Sequence, residues 1–252
     1  MVARTLSFRL FTALALYYGA AMAQLSDTTF HWQHCNRVSF SLGTAIPLGT
    51  FAKAEPGLKN GYALTGLSMG LEYHRQVWKG MFGFVQGFYS LNELNTDRVA
   101  ADQLTLFQET FGVGQQSTAV STQWQYIGLL AGPGWQWHLL PRLGFRVGAG
   151  AGIAALVTPT TERIVYDGAL AYGVETNSVP AYGLAYGANM QMSYLRKDRT
   201  EFFLGTQFQG SSNETNAMRL RQFGNYSQLI QAASLSTQIM MWSIRIGITT
   251  KF

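Results

Sequence analysis

The stretch QIMMWSIRIGITTKF, Gln238 to Phe252, settles how the rest of the chain is read. Taking every second residue gives Met240, Trp242, Ile244, Ile246, Ile248, Thr250 and Phe252. The residues between are Met241, Ser243, Arg245, Gly247, Thr249 and Lys251. Successive side chains of a strand point to opposite faces, so this alternation predicts a single strand, apolar on one side only. It is about twice the length of an ordinary strand. Such a strand suits a tilted crossing of a bilayer better than a place in a soluble sheet.

The same period recurs upstream. Val38, Phe40, Leu42, Thr44 and Ile46 alternate with small and polar residues in a first strand that Pro47 and Gly49 stop. A second strand is predicted from Gly61 to His74, with Glu72 and His74 on its polar face. The third, Met81 to Leu91, is apolar on both sides, and only Gln86 marks a face. The fourth, Trp124 to Trp137, contains Gly132-Pro133-Gly134, read as a bulge, a bend or an early end because proline cannot donate to a ladder. In the fifth, Leu143 to Val157, Gly144, Arg146, Gly148, Gly150 and Gly152 share one face. Glycines there make room for large side chains across a narrow barrel. A nucleotide loop would instead need a following helix, and none is signalled. The sixth, Ala181 to Tyr194, puts Asn189 and Gln191 opposite a face with tyrosines near both ends, as interfacial girdles require. The seventh, Glu201 to Gly210, sets Phe203, Gly205, Gln207 and Gln209 against Phe202, Leu204, Thr206 and Phe208.

Connections alternate in length. Residues 47–60, 92–122, 158–180 and 211–237 are long; 75–80, 138–142 and 195–200 are short. Leu104 to Phe107, within the second long connection, reads as a strand extension or a small loop element.

Composition agrees with strands that cross a membrane. Only 12% of residues are charged, against about a quarter in soluble domains. After residue 23 no run of about twenty apolar residues occurs, so no transmembrane helix is expected. A polar lumen face dilutes the mean hydropathy of such a chain, which is only +0.03. Met1 to Ala23 reads as a secretory signal peptide: Arg4 and Arg9, an uncharged apolar core, then Ala21-Met22-Ala23. The core is too short for a comfortable membrane anchor. Its removal lowers the formal charge from +5 by the two arginines, a balance that does not suit nucleic acid. Residues 24–36 then form a periplasmic leader. Its His31, His34 and Cys35 are spaced as in a metal site, but no fourth ligand is in sight. A single Cys excludes an internal disulfide framework.

An alternating strand closed by a terminal aromatic resembles the last strand of bacterial outer-membrane β-barrels. In that family the C-terminal Phe is the assembly signal, a role the resemblance gives to Phe252, with the barrel-assembly machinery as partner. The opening strand followed by Pro47-Leu48-Gly49-Thr50-Phe51 and a Gly-rich return is similar to a small barrel family common in the Bacteroidota. The resemblance implies an all-β fold over residues 37–252: a transmembrane antiparallel up-and-down barrel of about eight strands, with long loops outside and short turns in the periplasm. It also implies a monomer in contact with outer-membrane lipid and lipopolysaccharide.

A barrel of that size is just wide enough to be filled by side chains. Glu72, Arg146, Arg245, Asn189, Gln191 and Gln207 are the expected lumen cluster. Buried charges must be paired, so Glu72 bridging Arg146 or Arg245 would make a structural plug. A narrow gated pore would use the same residues; barrel size favours the plug. Some small outer-membrane barrels modify lipid A. A deacylase needs a Ser-His-acid set at the outer leaflet. His74 and His138 lie at or beside the short turns, and the His-x-Ser-Asn pattern of that family is absent. No catalytic residue, cofactor or metal is therefore expected. A lipocalin-like soluble barrel leaves the aromatics near the strand ends unexplained. Phe107, Phe111, Tyr166, Tyr172, Phe223 and Tyr226 in the long loops are candidates for binding a surface partner.

Overall fold

The computed structural model describes residues 36–54, 61–112, 114–140, 142–197, 199–224 and 228–252. The expected signal peptide, and the leader with His31, His34 and Cys35, lie outside the described residues except for Asn36. Tyr226 also lies outside them. The strands in chain order are β1 (Asn36–Pro47), β2 (Gly66–Trp78), β3 (Met81–Asn92), β4 (Gln116–Ser121), β5 (Trp124–Leu140), β6 (Leu143–Val157), β7 (Thr161–Asp167), β8 (Leu170–Thr176), β9 (Pro180–Lys197), β10 (Thr200–Phe223) and β11 (Gln228–Lys251). One helix, α1 (Thr96–Phe111), precedes β4.

Eight of these strands close a barrel. β1, β2, β3, β5, β6, β9, β10 and β11 pair antiparallel in that order, and β11 returns to β1 from Arg37↔Lys251 to Pro47↔Met241. Closure leaves no free edge in the barrel wall. Hydrogen-bonded partners followed once around from Ile246 pass Leu42, Met69, Tyr89, Ile127, Ala155, Tyr182 and Glu214. They return to β11 at Ser236, ten residues from the start. With strands about 4.8 Å apart, that stagger tilts them by about 40° and gives a backbone radius of about 8 Å. Such a bore accommodates little more than side chains.

The alternation sorts the faces as expected. Val38, Phe40 and Leu42 point outward on β1, as do Ile244, Ile246 and Ile248 on β11; Ser39, Ser41 and Arg245 are buried inside. β3 resolves the face its sequence left open: Phe82, Phe84, Gln86 and Phe88 enter the lumen. Glycines of β5 receive two of those rings. A Cβ on Gly134 would run into Phe82 Cζ, and one on Gly128 into Phe88 Cζ, so both positions must lack a side chain.

Several expectations need correction. The Gly-Pro-Gly segment does not shift or end β5, which runs on to Leu140. The ladder to β6 lapses at Gly132 and Pro133, but Ala131↔Ala151 and Gly134↔Gly148 keep one register. The missing proline N–H costs local pairing and nothing more. The second strand begins at Gly66 rather than Gly61, because Tyr62 to Ala63 turns to bridge Leu94. It also continues through residues 75–78, read as turn, where Arg75, Gln76 and Trp78 pair with β3 around an irregularity at Val77. Residues 211–223 and 228–237 are not loop: β10 and β11 extend as one long paired arm from Ser211↔Ile239 to Phe223↔Gln228.

Two of the other long connections, 92–122 and 158–180, fold together above the barrel. β7 and β8 form a hairpin; β8 pairs with the tip of β10, and β4 adds to β7. The segment Leu104 to Phe107 belongs to α1, neither strand nor loop. Asn95 caps the helix by accepting from the Arg98 N–H at 3.0 Å. Gly112, in the left-handed conformation at φ 70°, ends it. α1 buries Val99 and Ala100 and is tied to β4 by Ser117 Oγ donating to the Ala100 carbonyl at 2.7 Å.

Candidate functional site

The lumen brings together side chains that are far apart in sequence. At the end with the short turns, β10 supplies Glu201, its second residue, pointing inward. Three cations meet this carboxylate: Arg146 from β6, Lys251 Nζ from β11 at 2.7 Å and Arg37 from β1 at 3.6 Å. Arg37 also donates to Gln136 Oε1 on β5 at 2.8 Å. Arg146 Nη1 lies 3.0 Å from His74 Nε2, and His74 Nδ1 lies 2.9 Å from Glu72 Oε1. Arginine can only donate, so Nε2 accepts and the imidazole proton sits on Nδ1, facing Glu72. Asn189 Nδ2 donates to the other Glu72 oxygen at 3.3 Å. The result is a strut of buried groups across the bore, Glu201–Arg146–His74–Glu72–Asn189, anchored on β10, β6, β2 and β9.

All six residues expected in the lumen are there and buried. Their partners differ from the expected bridge. Glu72 is held by His74 and Asn189, and the carboxylate that Arg146 pairs with is Glu201. Arg245 is buried on β11, and its Nε and Nη2 find no hydrogen-bond partner. Gln207 forms a reciprocal amide pair with Gln86, at 3.0 and 2.8 Å. Gln191 is buried, with its Oε1 unpartnered. Glu201 and Arg37 were legible: each stands at the head of an alternating run, in phase with Phe203 and Ser39.

The opposite mouth is filled by apolar groups. After Pro47, Leu48 N–H donates to the Met240 carbonyl at 2.8 Å, and a single 3-10 turn, Gly49–Phe51, swings Phe51 inward. Phe51 is fully buried, edge-on to Trp124 with ring centres 5.5 Å apart. The Trp124 indole donates to the Gly61 carbonyl at 3.0 Å, which ties the returning loop to the same spot. Tyr126, Leu130, Leu156, Ile239 and Met241 belong to the same buried cluster. Thus the Pro-Leu-Gly-x-Phe opening has a physical role that its sequence did not disclose.

Above this mouth, Tyr62 OH donates to Asp102 of α1 at 3.0 Å. Burial, and then the neighbouring Asp102, hold the phenol above its ordinary range. Phe107 of α1 stacks on Tyr172 of β8 with ring centres 5.1 Å apart. Among the described residues no three His, Cys, Asp or Glu side chains converge as a metal site, and no helix is long and apolar enough to cross a membrane.

No protein-family model matches the chain, and no curated protein matches it in sequence. Solved structures with a similar course include Neisserial surface protein A, 10% identical with a TM-score of 0.44, covering 86% of this chain and 97% of that one. A major outer membrane protein from Thermus thermophilus is 12% identical with a TM-score of 0.43, covering 87% and 100%. Ail, the attachment invasion locus protein of Yersinia pestis, is 11% identical with a TM-score of 0.40, covering 87% and 99%. The fold assignment rests on the strand pairing itself.

Proposed function

We propose that this chain is an integral outer-membrane barrel protein with a side-chain-filled lumen, serving a structural or surface-interaction role and neither conducting nor catalysing. One observation carries the reading: every barrel strand turns large apolar side chains outward. Phe40, Leu71, Val85, Leu129, Ile153, Leu184, Leu204 and Ile246 are all exposed, one from each strand around the wall. A soluble monomer rarely exposes more than a few hundred Å² of contiguous apolar surface, and this belt encircles the molecule. Polar atoms on that face find partners within it: the Trp242 indole donates to Thr206 Oγ1. Closure also satisfies the backbone in the one way a strand-built protein can within lipid.

The Phe51 plug and the Glu201–Arg146–His74–Glu72 strut support a closed bore. A gated pore would have to displace both. The first strand and its Pro-Leu-Gly-x-Phe turn support placing the chain with the small barrels of the Bacteroidota, and Phe252 is the assigned assembly signal. Lipopolysaccharide at the long-loop end and the assembly machinery are the partners this reading implies, for a monomer.

Cell fractionation with gel mobility before and after boiling tests the reading. The protein should follow the outer membrane and migrate differently once heated, because a closed barrel resists SDS until thermally opened. A soluble periplasmic protein with no heat shift would overturn it. Single-channel recording on the same preparation should show no steady conductance.

A further inference from the structure

The two ends of the barrel carry opposite charge. The three short turns, residues 75–80, 138–142 and 195–200, hold six Lys or Arg and one acid, Asp198. The four long connections hold nine acids and six bases. Among the described residues of the short-turn end, Arg75, Lys79, Arg142 and Arg199 are exposed, whereas the acids Glu72 and Glu201 are buried within the lumen strut. These four cations come from all three turns, so the positive charge rings the barrel. Each of the first two turns also exposes a large apolar side chain beside its cations: Trp78 at 64% and Leu140 at 62%. An indole or alkyl group at the level of the interface, with a long cationic side chain reaching past it, matches a headgroup layer.

We infer that the short-turn end is a binding surface for anionic phospholipid headgroups, with the ring of Arg75, Lys79, Arg142 and Arg199 engaging their phosphates while Trp78 and Leu140 sit at the acyl boundary. This rests on the membrane reading above. Charge complementarity selects the occupant. Basic residues at the edge of a membrane segment attract anionic lipid within a Debye length, whereas the long connections carry more acids than bases.

The test is tryptophan quenching in vesicles of phosphatidylcholine that carry a minority of brominated lipid, either phosphatidylglycerol or phosphatidylcholine. Brominated phosphatidylglycerol is expected to quench at about twofold or more lower mole fraction than brominated phosphatidylcholine, a preference that disappears in about 0.5 M NaCl. The surface variant Arg75→Gln/Lys79→Gln/Arg142→Gln/Arg199→Gln should quench equally with both lipids while keeping its heat-dependent gel mobility. Equal quenching of the wild type, or a preference retained in the fourfold variant, would overturn the inference. A protein that never enters the vesicles and shows no heat shift would instead overturn the membrane reading.

Discussion

The two halves of the bore are filled by opposite means. Toward the short turns, Glu201, Arg146, His74 and Glu72 form a chain in which each group is paired with the next. Toward the long loops, Phe51, Trp124, Leu156 and Met241 belong to one apolar cluster, whose Trp124 indole bonds the Gly61 carbonyl. Both fillings suit a bore about 8 Å in radius. They differ in how they respond to change. A paired half depends on stoichiometry, because removing one member leaves a buried charge. A packed half depends on volume, because removing one member leaves a hole.

The largest effect is expected at Glu201, which serves three cations. Glu201→Gln leaves Arg37, Arg146 and Lys251 without their carboxylate, and breaking a buried pair in this way costs about 3–5 kcal/mol. Adding Arg146→Met should return part of that loss, since one orphaned charge is gone. Urea titration of folded protein in lipid vesicles measures both. A loss below about 1 kcal/mol for the single variant would mean the cations are satisfied without Glu201, and the paired half would lose its centre. Next comes Phe51→Ala. Deleting a fully buried ring costs about 3–5 kcal/mol when the site does not collapse, and less when it does. Here a loop end can settle, so the lower figure is expected. No second substitution should rescue it by removing a charge. The same variant should open Trp124 to aqueous iodide quenching, and an unchanged quenching profile would show that Phe51 does not close the mouth.

The comparison also explains what the sequence disclosed. A strand that separates lipid from lumen must alternate, so the eight barrel strands and most of their faces were legible, and with them all six expected lumen residues. β3 was opaque because its lumen face carries phenyl rings: apolar on both sides, it has no contrast to read. The partner of Arg146 was missed although Glu201 stands in phase with Phe203, because alternation gives a side chain its face and not its partner. Pairing across the bore depends on the ten-residue stagger, which no local pattern reveals. α1 and β4 were hidden in a polar stretch whose burial comes from β7 and β8, more than 40 residues further on. Phe51 looked like the end of a turn, since what buries it is Trp124 on another strand.

The smallest expected effect lies where the halves meet. Gln86 on β3 stands between Glu72, its β2 partner in register, and Leu130, its β5 partner. Its amide is exchanged with that of Gln207 across the bore, two bonds in one closed pair. If the boundary follows the paired logic, either single change to Leu strands a buried amide and costs about 1–3 kcal/mol. The double variant Gln86→Leu/Gln207→Leu strands neither, and leucine suits the apolar side that already holds Leu130 and Phe88. It should therefore lie within about 1 kcal/mol of the wild type. If the boundary follows the packed logic, the losses reflect shape and should add. The four proteins form a double-mutant cycle in urea, and the size of the coupling, large or near zero, decides. A double variant as unstable as the sum of the singles would show that the Gln pair is a spacer and that the polar half ends below it, at Glu72.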